Sequence, residues 1–159
     1  DAQNAQDRKR GIEDVLRDTS IEIIGVRTDE TDRSKAIANV QDTLVTYPDV
    51  ACLVGLWSYN GPAILNGVRD SRKLGQVKIV CFDEEEETLQ GVKDGHIFGT
   101  IVQQPFEFGY ESVRLLVDLA KGDRSRVPPN KTIYIDVLTI TQENVDEFWA
   151  RLKQLTGKA

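Results

Sequence analysis

The sequence lacks the features that mark several large classes of protein. No apolar run approaches the ~18 residues that a membrane-spanning helix needs. The first ten residues, DAQNAQDRKR, are polar throughout, so if the protein is exported its signal peptide has been removed or lies outside this chain. Basic residues are not in excess either, because 20 Lys and Arg face 26 Asp and Glu. The net charge of −6 argues against nucleic acid as a partner, since phosphate binding favours a basic surface.

Cysteine and histidine are also scarce, and their positions exclude several kinds of site. Cys52 and Cys81 lie inside apolar runs, and we interpret both as buried thiols rather than as a disulfide. Consecutive carboxylates such as Glu84–Glu87 point in different directions at the start of a helix, so we predict no metal and no cofactor. His96, the only histidine, lies at the entry of a predicted strand. The sequence has no GxSxG, P-loop or GxGxxG motif, which favours a binding protein over an enzyme.

Short apolar runs alternate with amphipathic stretches along the whole chain. The predicted strands cover residues 21–26, 51–56, 77–82, 96–102 and 131–140, and the predicted helices cover 4–17, 33–46, 61–72, 85–93, 107–120 and 142–155. Most strand runs are apolar at consecutive positions, which is typical of parallel strands buried on both faces. The pattern predicts an α/β fold, a doubly wound and mostly parallel sheet with helices on both faces.

The chain opens on a helix, and this is unusual for such a fold. A doubly wound sheet normally begins with a strand that lies in its middle. The first residues, DAQNAQD, are typical of the loop that joins a strand to a helix. We therefore expect the chain to be a fragment, or one covalent piece, of a longer protein, without the first strand of the sheet.

The residues that follow the predicted strands suit a polyol. Open α/β sheets bind ligands at the carboxyl ends of their strands. There Trp57 could stack on the C–H face of a sugar, and Asp83 could accept hydrogen bonds from two adjacent hydroxyls. Asn4 and Gln103 can donate and accept, and Arg8 presents a planar fork of donors. Simpler interpretations stay open, because Trp57 could be a core aromatic, Asp83 a helix N-cap and Arg8 a solvated helix residue.

Four segments resemble type I periplasmic solute-binding proteins of the ribose- and galactose-binding kind. Residues 4–16 (NAQDRKRGIEDVL) resemble the opening helix of the second lobe in that family, and 45–64 resemble a strand that precedes a ligand loop. Residues 77–113 are the strongest match, with a strand ending in an aromatic–Asp pair, a DG turn and a strand ending in Gln-x-Pro. Residues 140–148 (ITQENVDEF) resemble the family's C-terminal segment.

The resemblance implies a set of ligand-binding residues at the carboxyl edge of the sheet. They are Asn4, Arg8, Thr31, Trp57, Ser58, Phe82, Asp83 and Gln103. Arg8 corresponds to one of the family's strongest sugar contacts, and Gln103 to its hinge glutamine. The family often has an asparagine where Trp57 stands, so the identity of the sugar stays open.

The resemblance also implies how the chain is divided. Residues 1–104 would form the C-terminal sugar-binding lobe without its first strand. Residues 105–135 would hold a hinge crossing, helix 107–120 and a strand at 132–135, which pack on an N-terminal lobe absent from this sequence or on a second chain. Residues 136–159 would hold the return crossing and the C-terminal helix.

The implied function is that of a periplasmic or otherwise extracytoplasmic bacterial protein serving an ABC importer. It would clamp a monosaccharide or a related polyol between two lobes by hinge closure, and the membrane permease would recognise the closed form. Two alternatives stay open. The same fold serves as the effector-binding domain of LacI-type transcription repressors, which a helix-turn-helix upstream of residue 1 would indicate. A flavodoxin-like enzyme with Asp83 as phosphoacceptor would need a supporting acidic pair on the strand that is absent.

Overall fold

Helices and strands alternate along residues 2–157, the part of the chain that the structure, a computed structural model, describes. The helices are α1 (Gln3–Leu16), α2 (Arg33–Thr46), α3 (Asn60–Asp70), α4 (Glu86–Lys93), α5 (Pro105–Ala120) and α6 (Val145–Thr156). The strands are β1 (Cys52–Val54), β2 (Lys78–Phe82), β3 (Gly99–Val102) and β4 (Leu138–Ile140). All six predicted helices are confirmed, and within the described residues none is long and apolar enough to cross a membrane.

The four strands form one open sheet in the order β1–β2–β3–β4. β1, β2 and β3 are parallel, with Val54 in register with Val80 and Phe82 in register with Ile101. β4 runs antiparallel to β3. The α/β prediction with a mostly parallel sheet is confirmed, and β4 makes the sheet mixed.

The core lies between one face of the sheet and a layer made of α2, α3, α4 and α6. Ile79 and Cys81 point to this layer and are fully buried, whereas the residues that alternate with them along β2 are not. Val68 of α3 packs with Leu89 and Val92 of α4 in the same cluster, and all three are fully buried. Burial of apolar side chains between this face of the sheet and the four helices is therefore the main source of the fold's hydrophobic stabilisation.

The opposite face of the sheet is only lightly covered. There the guanidinium of Arg8, on α1, lies 4.5 Å from the centre of the Phe82 ring. Helices thus stand on both faces, although α1 has no buried residue of its own.

Cys52 lies on this lightly covered face, in register with the exposed Lys78. Its side chain is exposed, so the prediction of two buried thiols is wrong for Cys52. Cys81 is buried as predicted, and burial raises the pKa of its thiol to about 12.

Residues 21–26 do not form a strand, and that prediction is wrong. The segment is irregular and mostly apolar, yet Ile21, Ile23, Ile24 and Val26 are 62%, 41%, 45% and 57% exposed. A strand exists only where a neighbouring strand accepts and donates its backbone hydrogen bonds. No backbone hydrogen bond joins this segment to another part of residues 2–157.

The predicted strand at 131–140 is correct only at its end, where β4 covers three residues. Residues 132–135, expected to form a strand against a missing lobe, are irregular. Ile133, Tyr134 and Val137 are exposed. The apolar side of α5, which precedes them in the chain, is exposed as well. The physical reason is the same as for 21–26, because no strand among residues 2–157 pairs with residues 132–135.

Gly61 allows α3 to approach α4 closely, which makes its substitution a test of the core. A Cβ built at this position would lie 2.2 Å from Oγ1 of the fully buried Thr88 and 3.2 Å from Sγ of Cys81. We predict that Gly61→Ala lowers the free energy of unfolding by about 1–3 kcal/mol, measured by urea denaturation.

The matched control is Gly11→Ala on α1, where, apart from the flanking residues and the helix's own backbone, no described heavy atom lies within 4 Å of the added Cβ. It should be neutral or stabilising by up to about 1 kcal/mol, because alanine favours a helix over glycine. Equal destabilisation by both substitutions would contradict the proposed packing of Gly61.

Candidate functional site

The carboxyl ends of β1, β2 and β3 meet at one edge of the sheet, because these three strands are parallel. The loops that leave this edge begin after Val54, Phe82 and Val102. The first turns of α1 reach the same edge through Arg8. The predicted site residues that follow the strands, and those on α1, therefore share one place in the fold.

Arg8 and Asp83 form a bidentate ion pair at the centre of this edge. Nη2 of Arg8 lies 2.9 Å from Oδ1 of Asp83, and Nη1 lies 3.1 Å from Oδ2. Nη1 also donates to the carbonyl oxygen of Leu56 at 2.6 Å, and the guanidinium stacks on the Phe82 ring. The two side chains are only 12% and 23% exposed. Arg8 is thus fixed at this edge by its contacts and is not a solvated helix residue.

The backbone around Asp83 is fixed by β3. The amide of Asp83 donates to the carbonyl of Ile101 at 2.8 Å, and its own carbonyl accepts from Oγ1 of the buried Thr100 at 2.7 Å. These bonds hold Asp83 at φ 69°, a left-handed conformation that aspartate tolerates better than most residues. The N-cap of α4 is Glu85, so the interpretation of Asp83 as a helix cap is wrong.

Trp57 lies beside this pair, in the loop between β1 and α3. Its indole Nε1 donates to Oδ1 of Asn4 at 3.4 Å, and its ring is 5.9 Å from the Tyr59 ring, tilted by 58°. The side chain is half-buried and does not belong to the hydrophobic core. The structure therefore excludes the interpretation of Trp57 as a core aromatic.

A carboxylate that the sequence did not single out, Asp29, links two loops of this edge. It accepts from the hydroxyl of Tyr59 at 2.5 Å, from Nδ2 of Asn60 at 2.9 Å and from the amide of Thr31 at 3.0 Å. Burial, with the hydrogen bond to Asp29 next, raises the pKa of Tyr59 to about 12. Both loops are rich in polar residues, but no sequence pattern indicates that residues about thirty positions apart meet.

The remaining predicted residues take less defined places. Thr31 is exposed, has a left-handed backbone and joins the edge through Asp29, while Ser58 is half-buried in the Trp57 loop. Gln103 follows β3 directly and is exposed. Neither Ser58 nor Gln103 hydrogen bonds to another predicted site residue within the described chain.

The neighbouring Gln104 has a contact that the sequence did not predict. Its Nε2 donates to the carbonyl of Asp136 at 2.8 Å. This bond joins the two places where hinge crossings were expected, near 104 and 136.

The charges at the centre of the edge cancel, because the cation of Arg8 is paired with the anion of Asp83. Next to them, burial and then the charge of Asp83 raise the pKa of the Glu84 carboxyl. Residues 2–157 contain no group of three or more His, Cys, Asp or Glu side chains placed to hold a metal. The arrangement offers hydrogen bonds and an aromatic surface to a ligand, with a charge-balanced ion pair at its centre.

The contact of Arg8 with the sheet should control the local stability of α1, which buries no side chain. We predict that Arg8→Ala accelerates amide hydrogen exchange within α1 by at least about tenfold, because a hydrogen bond to a charged group contributes about 1.5–3 kcal/mol. Arg10→Ala is the control, since the exposed Arg10 pairs with Asp7 on the same helix. Equal acceleration in both variants, measured by mass spectrometry, would show that Arg8 has no special role.

The raised pKa of Glu84 should appear in the pH dependence of stability. The folded state binds the Glu84 proton more tightly than the unfolded state, so the bound proton adds to the free energy of unfolding. That addition is lost as the pH rises through the raised pKa. Glu84→Gln should therefore raise the free energy of unfolding at neutral pH. The difference should shrink below about pH 4, where glutamate is protonated in both states.

The exposed Glu143 supplies the matched control for this measurement. Urea denaturation across the same pH range should show no such pH-dependent gain for Glu143→Gln. If Glu84→Gln is no more stable than the parent chain at neutral pH, the explanation from burial is incorrect.

Comparison with known proteins places this chain in a family. Residues 1–124 match the model of the periplasmic binding protein domain. The ribose import binding protein of Salmonella typhimurium is 25% identical over 122 residues, which are 76% of this chain and 40% of that protein. The D-allose-binding periplasmic protein of Escherichia coli is 23% identical over 140 residues, which are 85% of this chain and 44% of that protein.

Solved structures similar to this chain also include sugar-binding proteins. The arabinose-binding protein of Geobacillus stearothermophilus has a TM-score of 0.80 and 26% identity over 92% of this chain and 53% of that one. A sugar-binding protein of a sugar ABC transporter from Bacillus halodurans has a TM-score of 0.82 and 25% identity over 93% of this chain and 54% of that one. The chain thus spans about half the length of the proteins it matches. It belongs to the periplasmic binding protein family, and its fold is that of the type I members.

Proposed function

We propose that this chain is the C-terminal lobe of an extracytoplasmic solute-binding protein that delivers a monosaccharide or a related polyol to an ABC importer. The matched relatives bind ribose, allose or arabinose according to their names, and several are transport proteins. The names that refer to import or transport favour the importer over the effector domain of a repressor. They also favour a binding role over catalysis.

The ion pair of Arg8 and Asp83 is the observation that carries the proposal. The guanidinium has five N–H donors, of which three are directed to Asp83 and Leu56. The carboxylate has about four acceptor positions and uses two of them for Arg8. Donors and acceptors thus remain side by side, which suits adjacent hydroxyl groups. The pair is neutral as a unit, so it fits an uncharged ligand better than an acid or an amine.

Trp57 supplies the apolar surface that a sugar ring also needs. Its half-buried indole lies next to Asn4 and beside the loop that leads from Leu56, the residue bound by Arg8. A sugar could place its C–H face on the indole and its hydroxyls on the ion pair. Asn4, Thr31, Ser58 and Gln103 add further polar groups from the same edge, and Phe82 orients Arg8 by stacking.

The second lobe of the proposed protein would cover the exposed apolar surface of α5. Phe106, Tyr110, Val113 and Val117 follow one another at helical spacing, and each is between 45% and 61% exposed. An apolar stripe of this size in a soluble protein marks a surface that another structure covers. We assign it to the N-terminal lobe, since the matched proteins are about twice as long as this chain.

The hinge of the proposed protein would run through residues 103–105 and 136. The bond between Gln104 and the Asp136 carbonyl keeps these crossings together. Closure about them would trap the sugar between the lobes, and the permease of the importer would recognise the closed form.

A single lobe offers half of a binding pocket, so the proposal is tested best by a method that detects millimolar affinity. The chain has two tryptophans, Trp57 and Trp149, which give two indole signals in a ¹⁵N–¹H spectrum. We predict that ribose, allose, arabinose or galactose shifts the Trp57 signal and leaves the Trp149 signal in place. The variant Trp149→Phe assigns the two signals.

Two further variants sharpen this titration. Arg8→Ala should remove the response to sugar, and Arg10→Ala, on the outer side of the same helix, should keep it. If no sugar of the panel moves any signal from the residues at the carboxyl edge, the proposed function is wrong for this chain.

A further inference from the structure

We propose that Asp29 is a positioning residue that holds the Trp57 surface of the sugar site in place before a ligand binds. The proposal rests on the proposed function for the nature of the ligand. Its geometric content, an ordered Trp57 loop that depends on Asp29, stands separately and can be measured without a ligand.

The connection from Asp29 to Trp57 runs through one side chain, Asn60. Nδ2 of Asn60 donates to Oδ2 of Asp29 at 2.9 Å, and Oδ1 of Asn60 accepts from the backbone amide of Trp57 at 2.9 Å. Because the two ends of the Asn60 amide are thus both engaged, its orientation is fixed. The carboxylate therefore determines which end of Asn60 faces the Trp57 amide.

A second connection passes through Tyr59. Its hydroxyl donates to Oδ1 of Asp29 at 2.5 Å, and its ring lies against the indole of Trp57. Asp29 thus holds Tyr59, the last residue of the loop between β1 and α3, and Asn60, the first residue of α3. Hydrogen bonds to an ionised acceptor are about twice as strong as neutral ones, which makes this carboxylate an effective anchor.

Two other hydrogen bonds hold the backbone of the Trp57 loop, because Nη1 of Arg8 donates to the Leu56 carbonyl and the Asn60 amide donates to the Trp57 carbonyl at 3.0 Å. Neither of them fixes the orientation of the indole. The indole Nε1 bond to Asn4 is long, at 3.4 Å, and Asn4 lies near the exposed start of α1. Without the carboxylate, the Tyr59 hydroxyl and the Asn60 amide would lose a part-buried acceptor. We expect the loop to become mobile and the indole to lose its fixed orientation.

The same carboxylate also restrains the loop that carries Thr31. Oδ1 of Asp29 accepts from the Thr31 amide at 3.0 Å, and Thr31 has a left-handed backbone at φ 64°. Two polar loops of the edge are therefore ordered by one residue. Binding to loops that are already ordered avoids the entropy that a ligand would otherwise have to overcome.

The test uses the whole chain with Trp149 replaced by phenylalanine, so that Trp57 is the sole tryptophan. Asp29→Ala should accelerate hydrogen exchange of the Trp57 backbone amide by at least about tenfold, because its acceptor is no longer held. Asp29→Asn should give a smaller effect, since its amide oxygen can still accept from Tyr59. Asp49→Asn removes the same charge from an exposed position and should change nothing.

A merely structural role for Asp29 predicts a different result. In that case Asp29→Ala would accelerate exchange in α3 and β2 by the same factor as at Trp57, and the proposal would be overturned. Unchanged exchange at Trp57 would overturn it as well. The positioning role predicts that acceleration is confined to the loops around Thr31 and Trp57.

The response to sugar separates this proposal from the proposed function. With positioning by Asp29, the sugar that shifts the Trp57 indole signal most should bind Asp29→Ala about tenfold more weakly than the parent chain. If the parent chain responds to no sugar, the proposed function fails, while the exchange measurement still decides the role of Asp29. If sugar affinity is unchanged in Asp29→Ala although the loop is mobile, the claim that positioning serves binding is wrong.

Discussion

The ion pair between Arg8 and Asp83 is the contact on which the candidate site depends. Helix α1 buries none of its side chains, so it is not held on the sheet by apolar packing. Its long-range hydrogen bonds within the described chain are those of Arg8 and the weaker one of Asn4. Arg8 therefore both attaches the helix and forms the centre of the site, and neither role can be changed without the other.

The geometry of Asp83 depends in turn on the buried part of the fold. Its left-handed backbone is held by hydrogen bonds to Thr100 and Ile101 on the neighbouring strand. That strand is kept in register by the core, where Ile79 and Leu89 are fully buried. The cost of a strained aspartate is offset by packing several residues away, which is common at functional sites.

The helices were predictable because their signals are local, and the strands were less so because theirs are not. Helix α2 begins where Asp32 caps the amides of Ser34 and Lys35, and its predicted bounds are those observed. The segments 21–26 and 131–137 have the apolar pattern of strands, but no strand of the described chain pairs with them. In the site, Arg8 and Asp83 could be predicted from the ends of the strands and from the family resemblance. Asp29 could not be predicted, because its role comes from two loops that meet only in the folded chain.

The ordered state of the site bears on how a two-lobed protein would use its binding energy. With Arg8 already paired to Asp83 and the Trp57 loop already tied to Asp29, a sugar would need to order little on this lobe. The binding free energy would then remain available to stabilise the closed arrangement of the lobes. A ligand shifts such an equilibrium only through contacts made in one state and not in the other. In the proposed protein, the unused donors of Arg8 and acceptors of Asp83 would be open to a sugar in either state, so the contacts that favour closure would come from the facing lobe.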